Sequence, residues 1–233
     1  MRRVHVLAAA CATVLPVSLL AGCSDRPNDL YTYYDDAPPS ATSAAPAQPS
    51  SAPAPTTAAS SAAAAKDRAA TVALGALTAA DLAAEEVSAS GAPDTGVPAT
   101  LPDCGVRLGA ASAPGQETTW KYRSGSMLRQ RVAYAEDPTA VLAAARDALD
   151  CGAFQVDGES FLVDEGAPLS ALPGVDDRLS WCASGPGKVT CTVLLARGNL
   201  VTAVTVESGT AARARSAVTR LAPKAAAALA RGL

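Results

Sequence analysis

Four cysteines, Cys104, Cys151, Cys182 and Cys191, lie in the part of the chain able to fold. Nothing in the sequence restricts the fold more, and what they are depends on a leader far upstream. Arg2 and Arg3 open that leader, an apolar run follows from Val4 to Leu20, and Ala21-Gly22 precede Cys23. This is the pattern of a secretory signal. In the oxidising compartment it implies, four cysteines with no C-x-x-C spacing read as two disulfides, with three connectivities open. Zinc and thiol-redox chemistry are correspondingly disfavoured.

The residues Leu20-Ala21-Gly22-Cys23, followed at once by Ser24-Asp25-Arg26, resemble the cleavage site of bacterial lipoproteins. The resemblance implies cleavage before Cys23 and acylation of its sulfur, so the chain is expected on the extracytoplasmic face of the cell membrane. Residues 1-22 are then the signal peptide. His5 leaves with it and is the one histidine of the sequence. Ser-His-Asp and Cys-His catalysis, histidine-ligated metal sites and imidazole proton shuttles therefore have no candidates in the mature chain. A non-catalytic protein with no cofactor and no metal is expected.

Removing Arg2 and Arg3 leaves an acidic chain, because all 22 Asp and Glu residues lie beyond the leader. Nucleic-acid binders present clustered positive charge, so nucleic acid is not an expected partner. Residues 23-65 are almost entirely Ala, Ser, Pro and Thr and read as a disordered tether. The folded domain is expected over 66-233, a length sufficient for one core.

Within that domain, Lys66 to Leu77 reads as a helix. Thr78-Ala79-Ala80-Asp81 has the spacing of a capping box and predicts a second short helix. Val87 to Thr119, broken by many glycines and prolines, reads as loop. Two strands joined near Ser124-Gly125 follow, over Thr118 to Arg123 and Met127 to Ala135. Asp137-Pro138 starts a helix whose face is Val141, Leu142, Ala145, Ala148 and Leu149, ended by Gly152. Asp157-Gly158 predicts a tight hairpin with Phe154 opposite Phe161. Runs over Arg178 to Ala183, Lys188 to Ala196 and Leu200 to Glu207 predict an antiparallel meander, and Thr210 to Leu229 a closing helix that Pro223 should kink. A meander turn centred on Pro186-Gly187 would set Cys182 opposite Cys191 and leave Cys104 to pair with Cys151.

Leu77-Thr78-Ala79-Ala80-Asp81-Leu82, the run Ala148-Leu149-Asp150-Cys151-Gly152-Ala153-Phe154, the acidic Gly174-Val175-Asp176-Asp177 and the turn Arg197-Gly198-Asn199 together resemble the PknH-like extracellular sensor domain of actinobacteria. The resemblance covers most of Lys66 to Leu233. It implies an α+β fold, a mainly antiparallel sheet packed by helices, two disulfides and a ligand cleft. No kinase half accompanies it here.

Individual motifs carry little chemistry. Thr118-Thr119-Trp120-Lys121 has S-x-x-K spacing without its companion motifs, and Trp120 reads as core. Asp176 and Asp177 are adjacent, and a loop would have to present both to a cation or ligand. Asp177 and Arg178 form a candidate ion pair. Arg213, Arg220, Lys224 and Arg231 fall on one stripe of the last helix, as a wet face or a surface for anionic headgroups. The functional expectation is a lipid-anchored binding or sensing module for a small-molecule or cell-wall ligand, with Asp176, Arg197 and Asn199 as candidate ligand-binding residues. The alternative is an envelope lipoprotein that docks on another protein and holds no small molecule.

Overall fold

In the computed structural model the residues described are 56–97 and 99–233. The expected signal peptide, Cys23 and most of the expected tether lie outside them. Eight strands form one antiparallel sheet: β1 (Val87–Ala89), β2 (Gly115–Tyr122), β3 (Met127–Tyr134), β4 (Ala153–Val156), β5 (Glu159–Glu165), β6 (Asp177–Gly185), β7 (Lys188–Arg197) and β8 (Leu200–Ser208). Their spatial order is β1-β2-β3-β8-β7-β6-β5-β4. The chain builds β1 to β3, crosses on helix α2 (Pro138–Leu149), and returns as a five-strand meander whose last strand pairs with β3. Helices α1 (Thr56–Leu74) and α3 (Ala211–Leu229) complete the α+β fold.

The sheet is covered on both faces. On one, α1, α3 and the 76–82 segment bury Trp120, Leu128, Val132, Val193, Leu195, Val204 and Val206. On the other, α2 and the 99–108 loop bury Ala133, Trp181, Leu194, Ala196, Val201 and Ala203. This is why Cys191 to Ala196 of β7 is buried at every position, without the alternation of a strand that wets one face.

Local chemistry accounts for most elements. Asp157 (φ 52°) and Gly158 (φ 81°) both adopt the left-handed conformation that a two-residue hairpin needs, and Phe154 pairs with Phe161 as expected. The Asp137 side chain accepts from the Ala140 N–H with Pro138 beginning α2, and Leu142 and Ala145 of the expected face are buried. Both disulfides form, Cys182–Cys191 between directly paired residues of β6 and β7, and Cys104–Cys151 across the second face.

Three expectations change. Helix α1 starts at Thr56, inside the segment read as tether, and ends at Leu74. Alanine has the highest helix propensity, and residues 61–70 are helical with none of them buried, so intrinsic preference does much to sustain this part of the helix. The Thr78–Asp81 box closes, with the Thr78 N–H donating to Asp81 Oδ2 at 2.8 Å and the Asp81 N–H to Thr78 Oγ1 at 3.3 Å. It caps a turn followed by one 3₁₀ turn at Ala83–Glu85, not an α-helix, because Glu86 turns left-handed (φ 53°) and the chain enters β1. That edge strand lies within the expected loop. The expected closing helix α3 continues through Pro223 to Leu229; Pro223 and Thr219, whose carbonyl loses its donor, are both exposed, where water can serve instead.

The basic stripe that runs along α3 and on to Arg231, just past the helix end, is largely exposed as a wet face would be, but most of it is not a free cationic surface. Arg231 grips both oxygens of Asp81 (3.1 and 2.9 Å) and the Ala76 carbonyl (2.8 Å). Arg220 and Lys224 converge on the buried carboxylate of Glu85 at 3.2 and 3.6 Å. Three of the four cations thus fasten the 76–85 connection to the helix, and only Arg213 is left over.

Candidate functional site

The second face of the sheet is covered over only half its length. Helix α2 lies on the end where β7 and β8 present Leu194, Ala196, Val201 and Ala203. Toward the other end the same side-chain rows turn polar: Lys188, Thr190 and Thr192 on β7, Thr205 and Glu207 on β8, Arg129 and Arg131 on β3, and Glu117 on β2. No helix could seal these residues without stripping water from charges, and a cleft remains above them.

Two walls close the cleft. One is the 101–103 loop, which Arg131 holds by donating to the Thr100 carbonyl (2.6 Å) while it pairs with Glu117. The Cys104–Cys151 disulfide anchors the same loop to the end of α2. The other wall is the β4–β5 hairpin, whose stacked Phe154 and Phe161 (centroids 5.5 Å apart) lean over the floor. Phe161 lies flat on Gly185, where any Cβ would stand 2.5 Å from the ring, so this wall requires glycine there. Lys188 sits over the Phe161 ring at 5.5 Å and pairs with Glu159 at 2.8 Å.

The cleft's electrostatics follow from which of its charges are already matched. Arg131 is held by Glu117 and Lys188 by Glu159. Asp103, 7% exposed, accepts from Trp181 Nε1 at 2.6 Å; burial pushes its carboxyl above the ordinary value, against the opposing pull of the indole N–H and Arg131. Arg129, Asp157 and Glu207 line the cleft and make no ion pair among the described residues. The site therefore presents one guanidinium and two carboxylates outside any ion pair, the carboxylates close enough to Lys188 to favour its charged form, in a cavity of about 130 Å³. That is below the several hundred Å³ of drug-sized sites, so a very small molecule, or one end of a longer one, fits.

The raised Asp103 has a measurable consequence. Burial opposes its ionised form, so the folded state holds this proton to higher pH than the unfolded state. Its contribution is undiminished below the ordinary value of 3.8 and falls as pH climbs from there through the folded value. Asp103→Asn keeps an acceptor for Trp181 and cannot ionise. The variant should gain stability relative to wild type as pH rises through that window, by chemical denaturation at each pH; a gap moving the other way would contradict the assignment.

The residues singled out from sequence lie elsewhere. Asp176 accepts from the Gly198 N–H at 2.8 Å, Arg197 donates to the Ala226 carbonyl at 3.4 Å, and Asn199 donates to the Ala135 carbonyl at 3.4 Å. All three brace the β7–β8 turn, at the end of those strands opposite the cleft. Asp177 does not join Asp176: Arg146 holds both its oxygens at 2.9 and 2.7 Å, keeping its carboxyl below the usual range. The Arg178 guanidinium makes no ion pair with it; Arg178 instead donates its backbone N–H to Asp177 Oδ1 at 2.7 Å, helps through its charge to hold that carboxyl down, and offers its carbonyl to Arg146 at 3.2 Å. In strand β2, Thr118 and Lys121 point to opposite faces and cannot act together, while Trp120 is buried core.

No protein-family model and no curated protein matches the sequence. Among solved structures the chain is similar to the crystal structure of the extracellular domain of PknH from Mycobacterium tuberculosis, at 11% identity and TM-score 0.48, covering 68% of this chain and 94% of that one. It is also similar to the X-ray structure of a putative uncharacterized protein, the Rv0999 ortholog, from Mycobacterium smegmatis, at 15% identity and TM-score 0.38, covering 69% and 96%. The first is the domain that the sequence motifs resemble. Among the described residues no helix is long and apolar enough to cross a membrane.

Proposed function

We propose that the chain is a lipid-anchored, extracytoplasmic and non-catalytic sensing module whose cleft receives a small zwitterion such as the end of a cell-wall peptide. The observation that carries this reading is the unmatched charge of the cleft: Arg129 suits a carboxylate, and Asp157 and Glu207 suit an ammonium group. Two disulfides fit the oxidising compartment to which the leader and Cys23 point, and a mature chain without histidine suits binding better than turnover. The thin hydroxyl floor of Thr190 and Thr205 would accept peptide groups without demanding one side chain.

The test is titration of the full chain in detergent with alanyl-alanine, followed by nuclear magnetic resonance or calorimetry, beside its N-acetylated and C-amidated forms. The zwitterion should bind saturably, each blocked form at least about tenfold more weakly, and Arg129→Ala should mimic loss of the carboxylate. Equal affinity for all three forms would sink the charge assignment. No response to any of them, with another envelope protein co-purifying, would instead support the docking module.

A further inference from the structure

A second recess lies on the opposite face of the sheet, between the end of β2, the β2–β3 turn, β8 and the first half of α3, with a volume of about 370 Å³. Its floor is Val206, Ala212 and Ala217. Its polar lining consists of hydroxyls and cations: Tyr122, Ser124, Ser126, Ser208 and Ser216, with Arg213 and Arg220 at the rim. No carboxylate lines it. The nearest, Glu85, has its side chain 5% exposed and is already taken by Arg220 and Lys224.

Several of these donors have nothing to bond. The Tyr122 hydroxyl is buried without a partner. Ser208, 5% exposed, makes no side-chain hydrogen bond among the described residues. Arg213 is the one member of the α3 basic stripe with no ion pair. Ser216 only accepts, from Arg220 at 2.9 Å, and keeps its proton to donate. A buried donor left unmatched is costly, and here the Tyr122 hydroxyl stands beside the unbonded Ser208 and the more exposed Ser216, around one space with a cation at its edge. Burial, and the Glu85 carboxylate after it, push the Tyr122 phenol above its ordinary value, so it stays protonated and can only donate to an anion.

We propose that this recess is a second binding site, for a phosphate monoester carried on a small hydroxylated molecule. The donors outnumber what the two oxygens of a carboxylate can accept, and they suit the three terminal oxygens of a phosphate ester. The serines and the apolar floor accommodate a glycerol- or sugar-sized body. The site is independent of the zwitterion cleft, which lies behind the sheet and is lined by charges of both signs.

The probe is sn-glycerol 3-phosphate, titrated into the full chain in detergent, with glycerol as the control. Saturable binding by the phosphate ester and none by glycerol is expected. Arg213→Gln should weaken it by about tenfold or more, and Tyr122→Phe, which removes one oxygen from a residue otherwise unchanged, by several-fold with the thermal midpoint preserved. To separate a soluble ester from a lipid headgroup, the Cys23→Ala chain is floated with vesicles of phosphatidylcholine containing phosphatidic acid, whose headgroup is itself a phosphate monoester. Flotation that Arg213→Gln abolishes assigns the headgroup; titration without flotation assigns the soluble ester. A flat titration with no flotation, or binding that neither substitution weakens, overturns the proposal.

Discussion

Replacing Cys104 and Cys151 with alanine lowers the unfolding free energy by about 4 kcal/mol in the loop-entropy picture, because the disulfide closes 47 residues of chain. Denaturant titration of the double variant measures the loss. Cys151 is exposed and Cys104 half-buried, so the alanines leave no buried cavity to confuse the reading. The effect should concentrate in the 99–108 loop, whose Leu101, Val106 and Leu108 belong to the second core and whose Asp103 walls the cleft. Hydrogen exchange at the Val106 and Leu108 amides, which bond to the Asp103 and Ala99 carbonyls, should quicken first. The Cys182–Cys191 disulfide closes only 9 residues between strands already paired, and both its sulfurs are fully buried. Mild reductant should therefore open Cys104–Cys151 well before Cys182–Cys191. A loss below about 1 kcal/mol, or the reverse order of reduction, would refute the loop as the element most dependent on its cross-link.

What could be read in advance was whatever local chemistry decides. The Asp157-Gly158 turn sets the register of its own hairpin, and Pro186-Gly187 sets the register that places Cys182 against Cys191. The N-cap and stripe of α2 are equally local. The early start of α1 is legible too, in the alanines before Lys66, whose helix propensity outweighs their low complexity. The basic stripe of α3 was correctly seen as one stripe, but its partners Asp81 and Glu85 lie more than a hundred residues upstream.

The cleft was out of reach for the same reason. Its floor exists because β3 pairs with β8, and Arg129 comes to face Thr205 through a contact that no pattern near either residue announces. Asp176, Arg197 and Asn199 are polar groups in and beside a turn, and turns often consume such groups in holding their own shape. Arg129, by contrast, looked like the ordinary outward residue of an alternating strand. A charged residue whose strand neighbours on the same face are Met127 and Arg131 was the available signal: three such rows side by side cannot all be sealed by one helix.

Gln130→Met should destabilise the fold by about 2 to 4 kcal/mol, the cost of orphaned buried polar groups at about 1 to 3 kcal/mol each. Gln130 is completely buried in the middle of β3. Its amide oxygen accepts the Leu77 N–H at 2.7 Å, and its nitrogen donates to Thr202 Oγ1 at 3.0 Å and reaches the Gly75 carbonyl at 3.5 Å. The chain leaving α1 has no strand or helix to satisfy these backbone groups, so one side chain does it. Thr202 passes the network on by donating to the Arg131 carbonyl at 3.1 Å, tying β8 to β3 beside their own ladder. Methionine nearly matches glutamine in volume, so packing is preserved and the loss reports the hydrogen bonds alone. The Leu77 amide should lose exchange protection more than its neighbours, while Cys182–Cys191 keeps its resistance to reductant. A variant within about 0.5 kcal/mol of wild type would show that water or a shifted 75–77 segment satisfies these groups without Gln130, and the 76–85 connection would then rest on Arg220, Lys224 and Arg231 alone.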